Sequence, residues 1–463
     1  MRIDSPMSEF VRNGLAAALA VACCGAVLAG CSQDDAGQAV DSVVQAGGVD
    51  VKAYPAPTYP QKDADGFYAV EDQIFVYPQD EIVTAANAFA TSTAADFLAS
   101  ADGPNVNYSP ISLYFALSMT AQGAQGETRE QMMAFLQTAD SPEMLSRYRA
   151  LFLSMYTNPL CEMKLADSVW LSADGGPFKQ EFVDCMTQDF LAEIFEADFG
   201  TAGADAAMSA WISEHTGNTL APEVKTRPEW LIALVNTVYF KGSWQTPFNA
   251  SLTSEGEFTL QPGSGSDAAA QTGAGGGATV MMDFMNLDAS FDGHDVLVAD
   301  EFVRAGLPFD GGAVMNFILP AQGVSVEDIL GDEELFALAV AGEPNSYAGV
   351  RFSIPKFTFD TEFDMADQLQ EMGLDLPFSD HADFSGMSEA AACISSVNQG
   401  THIAIDEEGA EASAYTIVGV AESAAPLEPD SVIDFVCDRP FLYTITSPEG
   451  AVLFVGVVGN PAQ

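Results

Sequence analysis

The chain reads as an α+β protein, and three stretches carry that reading. Residues Trp230 to Trp244 form a near-continuous apolar run, with Leu234-Val235-Asn236-Thr237-Val238-Tyr239-Phe240 at its centre. Such a run describes a strand buried on both faces, whose one amide, Asn236, must find a hydrogen-bond partner. Ahead of it the chain is helical in pattern: Ile82, Ala86, Phe89, Thr93 and Phe97 share one face between Glu81 and Leu98. Behind it, Arg439 to Ile445, a Pro448-Glu449-Gly450 turn and Val452 to Pro461 describe a hydrophobic hairpin. No two-lobed βαβ alternation runs through the chain, which argues against a solute-receptor architecture.

The first 30 residues read as an export signal. Arg2 and Arg12 give a positive start, and Leu15 to Leu28 is an uncharged apolar run. That run is shorter than the ~20 residues a spanning helix needs. Leu28-Ala29-Gly30-Cys31 resembles a lipobox, in which Cys31 would be lipidated; the alternative is a plain signal peptide. The lipobox reading implies an exported, extracytoplasmic protein held at a bacterial membrane or cell surface through a lipid alone. Residues 31–80, rich in Asp, Ala, Gly, Pro and Gln around Tyr54-Pro55-Ala56-Pro57-Thr58-Tyr59-Pro60, read as a flexible tether. Residues 81–463 then make one domain.

Charge excludes some partners. With 66 acidic and 16 basic residues the net charge is −50, so nucleic acid and anionic lipid are repelled. Hydrophobic content of 48% and 31 phenylalanines allow a large core. Cys161, Cys185, Cys393 and Cys437 match no zinc spacing and read as buried free thiols, their pairing being unreadable from sequence. There is no Gly-x-Ser-x-Gly elbow, His-Glu-x-x-His or phosphate-binding glycine loop, and His215, His294, His381 and His402 are scattered. No catalytic residue, metal site or cofactor is therefore predicted.

Within the domain, Ser109 is placed to cap a second helix with Pro110 at its first position, running through Met119. Thr128 and Gln131 have the spacing of a capping box for a third. Met163 to Leu171 reads as a strand. Pro262 to Thr279 is Gly-, Ser- and Ala-rich and reads as a surface insertion.

The oddest stretch is Asp406 to Arg439, long for a loop without structure of its own. At period two, Ala410, Ala412, Ala414, Thr416, Val418 and Val420 fall on a small, apolar face. Glu411, Ser413, Tyr415, Ile417, Gly419 and Ala421 fall on the other. The segment could live exposed and also become a buried strand.

Glu407-Glu408-Gly409-Ala410-Glu411-Ala412-Ser413-Ala414-Tyr415-Thr416 resembles the proximal hinge of the serpins, E-E-G-x-E-A-x-A-x-T. Asn105 to Ser112 with Gly123 to Thr128 is similar to the family's N-x-x-x-S-P-x-S…G-A-x-G-x-T, and Leu234 to Trp244 to its L-V-N-A-x-Y-F-K-G-x-W. Ala197-Asp198-Phe199 resembles the family's short strand before a helix containing Trp211, and Val280-Met281-Met282, Leu307-Pro308-Phe309 and Met315 to Pro320 resemble its second-sheet strands, so the resemblance covers roughly residues 81–463. It implies three β-sheets with about eight or nine helices and an exposed reactive-centre loop. It also implies a monomer that inhibits serine proteases by inserting the cleaved loop into the main sheet. Ser109, Ser112, Asn236 and Gln399 fall where serpins place a hydrogen-bonded shutter, with Gln399 where a histidine is commoner. Glu407 is expected to pair with Lys356 near Trp244. Counting about seventeen residues from Glu407, the length a fully inserted strand needs, puts the reactive bond at Ser423–Ala424. Small residues there imply an elastase-like or subtilisin-like target. Tyr415 departs from the family's small residue, so a non-inhibitory serpin-fold binder or carrier stays open.

Overall fold

The computed structural model describes residues 42–46, 49–63, 68–69, 76–77, 80–158, 160–216, 219–220, 222–260, 271–272, 278–410 and 431–463. In chain order these form β1 (Ser42–Ala46), β2 (Val49–Ala53), α1 (Glu81–Ser100), β3 (Asn105–Tyr108), α2 (Pro110–Gly123), α3 (Gly126–Phe135) and α4 (Pro142–Tyr156). Next come β4 (Cys161–Ser172), α5 (Gln180–Cys185), β5 (Glu193–Ala197), α6 (Ala202–His215), β6 (Ile232–Ser243), β7 (Ser254–Thr259), β8 (Gln271–Thr272) and β9 (Ala278–Val298). Then follow β10 (Phe302–Pro308), β11 (Val314–Pro320), α7 (Val326–Leu330), α8 (Glu333–Ala341), β12 (Ser346–Pro355) and β13 (Phe357–Asp364). The chain closes with α9 (Ala366–Glu371), β14 (Ile394–Ile405), β15 (Gly409–Ala410), β16 (Val432–Val436), β17 (Phe441–Thr446) and β18 (Val452–Val458).

The main sheet runs β1-β2-β5-β4-β6-β15-β14-β13. The second runs β16-β12-β9-β10-β11-β17-β18-β3, with β7 and β8 attached to β9. The 21 residues of β9 pass through both smaller layers, so the second and third of the expected sheets share one continuous ladder. α2, which carries no charged residue, is buried on nearly every side and lies between the main sheet and the C-terminal hairpin. Along β4 and β6, Leu165, Val169, Leu234 and Val238 face this central core. Ala166, Trp170, Ala233 and Val235 face the other way, under Met208, Trp211 and Ile212 of α6. The strands are apolar on both faces because each face carries a core.

Several local readings need correction. Ser109 precedes α2, but its hydroxyl donates to Leu453 O at 2.7 Å and makes no cap. Thr128 and Gln131 lie inside α3 and form no capping box. Thr128 Oγ1 accepts from Asp383 N at 2.9 Å and Gln131 Oε1 from Leu376 N at 2.9 Å, so both dock distant chain. The short strand expected at Ala197 to Phe199 is Glu193–Ala197 and ends there. Asp198 instead joins the turn into α6, its carbonyl accepting from Thr201 Oγ1 at 2.7 Å.

The tether reading of residues 31–80 also fails between β1 and Lys62, which belong to the compact unit Val40–Gln463. β2 pairs with β5 at the sheet edge, with Lys52 opposite Glu196 and Ala53 opposite Phe195. An open edge is a row of unpaired backbone groups, and an alternating segment that buries Val51 and Ala53 covers it. Tyr54 hydrogen-bonds Glu196 and accepts from Phe178 N at 3.1 Å. Tyr59 stacks on Tyr156 at 5.3 Å and donates its hydroxyl to Leu191 O at 2.8 Å. The aromatic and apolar residues that break the tether's polar composition thus fasten it down.

Truncating Tyr59 to alanine removes both the stacking and the hydroxyl. Tyr59→Ala is expected to lower the unfolding free energy by about 2–3 kcal/mol and Tyr59→Phe by about 1 kcal/mol, read from urea midpoints. Equal midpoints for all three proteins would show that the segment adds nothing to the fold.

Candidate functional site

Where β6 and β14 meet, the main sheet is a parallel pair in its lower half only. The register runs from Ile232 opposite Ile394 to Thr237 opposite Gly400. Above that point the strands diverge, and β15 sits between their tops. Gly409 is opposite Ser243 and Ala410 opposite Gly242 on β6, while Ala410 faces Ile405 on β14. Between Val238 and Lys241 on one side and Thr401 and Ala404 on the other, no ladder joins the two strands among the described residues. The sheet is therefore already parted, with a two-residue wedge at its mouth.

That wedge is seated by geometry that demands small residues. Ala410 is 3% exposed. A Cβ on Gly409 would lie 2.1 Å from Gly242 O, so the close approach to β6 excludes any side chain there. The turn feeding the wedge is an Asx turn: Asp406 Oδ1 accepts from Glu408 N at 2.8 Å and from Gly409 N at 3.2 Å. Trp244, buried and stacked on Phe309 at 4.3 Å, binds the same turn twice. Its backbone N–H donates to Glu408 O and its indole N–H to Asp406 O, both at 2.9 Å.

Glu407 anchors the turn. Its carboxylate accepts from Lys356 Nζ at 2.7 Å and from Thr253 Oγ1 at 2.7 Å. Burial pushes its carboxyl pKa up, but these hydrogen bonds together outweigh burial and hold it below the usual range. Lys356, Trp244 and Glu407, expected to come together, do so. Glu411, Ala412, Ser413, Ala414, Tyr415 and Thr416, and the bond Ser423–Ala424, lie outside the described residues, as does Cys31.

Under the paired half lies the polar layer expected from Ser109, Ser112, Asn236 and Gln399. Gln399 clasps one residue in both directions: Ser109 N donates to its Oε1 at 2.8 Å, and its Nε2 donates to Ser109 O at 2.9 Å. An amide suits this position because it supplies a donor and an acceptor without titrating. Asn236 Nδ2 donates to Ser112 O at 3.2 Å, so Ser112 contributes its carbonyl while its hydroxyl finds no protein partner. These bonds tie β6 and β14 to the start of α2 and hold the seam shut from behind.

The sequence reading missed further members. Asn107 accepts from Thr401 Oγ1 at 2.8 Å through its carbonyl and from Tyr443 Oη at 2.9 Å through Oδ1. Both bonds extend the layer toward the C-terminal hairpin. Asp167, 2% exposed, stands opposite Asn236 on β4. Its signal was present: in the alternation Leu165-Asp167-Val169, the carboxylate takes a core-facing position. Among the described residues no group of acids, histidines or cysteines is arranged to hold a metal, and no helix is long and apolar enough to cross a membrane. Cys161, Cys185, Cys393 and Cys437 are free thiols.

Comparison with known proteins agrees with this architecture. The family model described as serpin (serine protease inhibitor) matches residues 84–461. Serpin-ZXA of Oryza sativa subsp. japonica is 31% identical over 392 residues, covering 78% of this chain and 91% of the relative. An Arabidopsis serpin in its native stressed conformation superposes with a TM-score of 0.69 at 26% identity, over 83% of this chain and 100% of the other. Human thyroxine-binding globulin in complex with thyroxine shares the fold at a TM-score of 0.69 and 21% identity, over 83% of this chain and 99% of that one. Serpins are in general inhibitors of proteases rather than catalysts, and some are non-inhibitory. On the family match and the rice relative together, this chain belongs to the serpin family.

Proposed function

We propose that this serpin is a monomeric suicide-substrate inhibitor of serine proteases. The protease serine attacks the Ser423 carbonyl, the Ser423–Ala424 peptide bond breaks, and the Ala424 amine leaves with a proton. Ser423 is left esterified to the enzyme. The freed segment then continues the path that Ala410 has begun, between β6 and β14. Fourteen residues, Ala410 to Ser423, span roughly 45 Å when extended, enough to carry the acylated enzyme far from its site of attack. The observation that carries this reading is the seat of Gly409 and Ala410 between strands that, among the described residues, share no ladder with one another just below them. Ala412 and Ala414 continue the same small face. The small residues around Ser423 favour an elastase-like or subtilisin-like enzyme with a shallow pocket.

A non-inhibitory carrier is the second reading. A cavity of about 370 Å³ lies between α6 and the front of the β6–β14 seam, lined in part by Met208, Ile212, Val224, Trp230 and Val235. Human thyroxine-binding globulin, named for binding thyroxine, has the same fold. Incubation with a panel of serine proteases separates the two readings. An inhibitor forms a complex that survives SDS; a carrier is cut or ignored without forming one.

Export and anchoring through Cys31 at a bacterial membrane or cell surface belong to the same proposal, supported by the lipobox-like Leu28-Ala29-Gly30-Cys31. Labelled fatty acid should mark the wild type and not Cys31→Ser, while inhibition is the same for both. An unlabelled wild type removes the anchor.

Two further outcomes are expected. Ala412→Arg puts a cation on the buried face of the inserting strand, which is strongly unfavourable without a partner. The loop is then still cleaved, but the SDS-stable complex falls by at least tenfold, a loss of about 1.4 kcal/mol or more in partitioning toward the trap. Unchanged trapping by Ala412→Arg would sink the insertion mechanism. N-terminal sequencing of the fragment released by an elastase-like protease should begin at Ala424. A start after Leu427, or faster cleavage by trypsin, would move the reactive bond and the target class.

A further inference from the structure

Asp167 is a buried acid that the inhibitory scheme leaves unused. Both its carboxylate oxygens lack a protein hydrogen-bond partner. Directly opposite, on β6, Asn236 Oδ1 also lacks one. Residues opposed in a ladder share a face, with Cβ atoms about 4.5–5.5 Å apart, so the two side chains are neighbours. Asn236 Nδ2 donates to Ser112 O on α2, which places both on the core side of the sheet. The flanking residues Leu165, Val169, Leu234 and Val238 belong to that same core. Two orphan acceptors side by side in an apolar layer repel one another; a proton on the carboxyl turns the pair into donor and acceptor.

The surroundings favour the proton. Burial pushes the Asp167 carboxyl up to about 8, and no other cause acts on it. Among the elements packed here, Tyr59 from the N-terminal segment is the titratable group that feels the Asp167 charge, and its hydroxyl donates to Leu191 O. Tyr114 of α2 and Tyr148 of α4 are hydrogen-bonded to one another. Glu193 of β5 is bound to Trp211 and His215 of α6. None of these supplies a cation.

We propose that Asp167 is a positioning residue of the shutter, a neutral acid that donates to Asn236 Oδ1 and thereby fixes the amide that ties β6 to α2. Asn236 is also the residue opposite Gln399 across the seam that must open. Ionising Asp167 sets a carboxylate against Asn236 Oδ1, turns the amide away from Ser112 and loosens β6 at the seam. The sign follows from linkage. An acid whose pKa is raised in the folded state stabilises most at low pH. That stability is lost as pH rises from the unfolded carboxylate value, about 3.9, through the folded one.

The inference rests on the reading that β6 and β14 part during insertion, but its test needs no protease. Amide hydrogen exchange along β6 and β14 is measured for uncomplexed wild type and Asp167→Asn, whose amide can donate at any pH. The intrinsic exchange rate cancels in the ratio of the two. The ratio of wild type to Asp167→Asn should rise by up to about tenfold per pH unit as pH climbs from the unfolded carboxylate value toward the folded midpoint, and level off above it. A ratio that stays flat, or falls, from pH 5 to 8 overturns the proposal. Should Asp167→Asn fail to fold, infrared spectroscopy of the wild type decides: the carbonyl band of a protonated carboxyl must be present at pH 6 and gone above pH 9. Its absence at pH 6 overturns the proposal. A rising ratio in a protein that forms no SDS-stable complex would leave Asp167 as assigned and remove only the inhibitory reading.

Discussion

A sheet that is parted in its upper half has to do something with its backbone. β6 and β14 are a parallel pair up to Thr237 and Gly400 and beyond that share no ladder among the described residues, so edges face one another inside the sheet rather than at its rim. An unpaired buried N–H or C=O is costly, and an open strand edge is a template for any segment that fits. The molecule's other unusual features answer that constraint. The wedge of Gly409 and Ala410 fills the top, the polar layer on α2 closes the bottom, and α6 covers the front.

The two ends of the seam are held by different physics. At the top, ion pairing and hydrogen bonding dominate: Lys356 and Thr253 on Glu407, Trp244 on the turn, and a glycine where nothing larger fits. Such contacts are partly exposed, modest in energy and easily released. At the bottom the bonds are buried and reciprocal, Gln399 with Ser109 and Asn236 with Ser112. Losing one partner there strands the other in a low-dielectric layer. The top of the seam is therefore held more weakly than the bottom.

The N-terminal segment adds a restraint at the sheet's far edge. β2 caps β5, and Tyr54 and Tyr59 reach over to Phe178 and Leu191. Residues Val49–Ala53 therefore belong to the main sheet and not to a linker.

Much of this was legible in the sequence because it rests on local patterns. The run from Leu234 to Phe240 had to be a two-sided strand and the C-terminal segment a hairpin, and Ala410 is small enough for its place in the sheet. Glu407, Lys356 and Trp244 followed from their motifs, as did the four shutter residues. What the sequence left open were side-chain partners set by distant chain. Ser109, Thr128 and Gln131 looked like caps, since a capping residue is recognised by neighbours a few positions away. The tertiary structure gives their polar atoms to Leu453, Asp383 and Leu376 instead. Val51, Ala53 and Tyr59 looked like parts of a linker until β5 offered an edge to cover. Asp167 looked like one acid among 66 until the pairing of β4 with β6 set it, unpartnered, against Asn236. Periodicity fixes which way a residue points; only the packed fold decides what it meets there, because a hydrogen bond needs its partner within about 3 Å, however far away in sequence that partner lies.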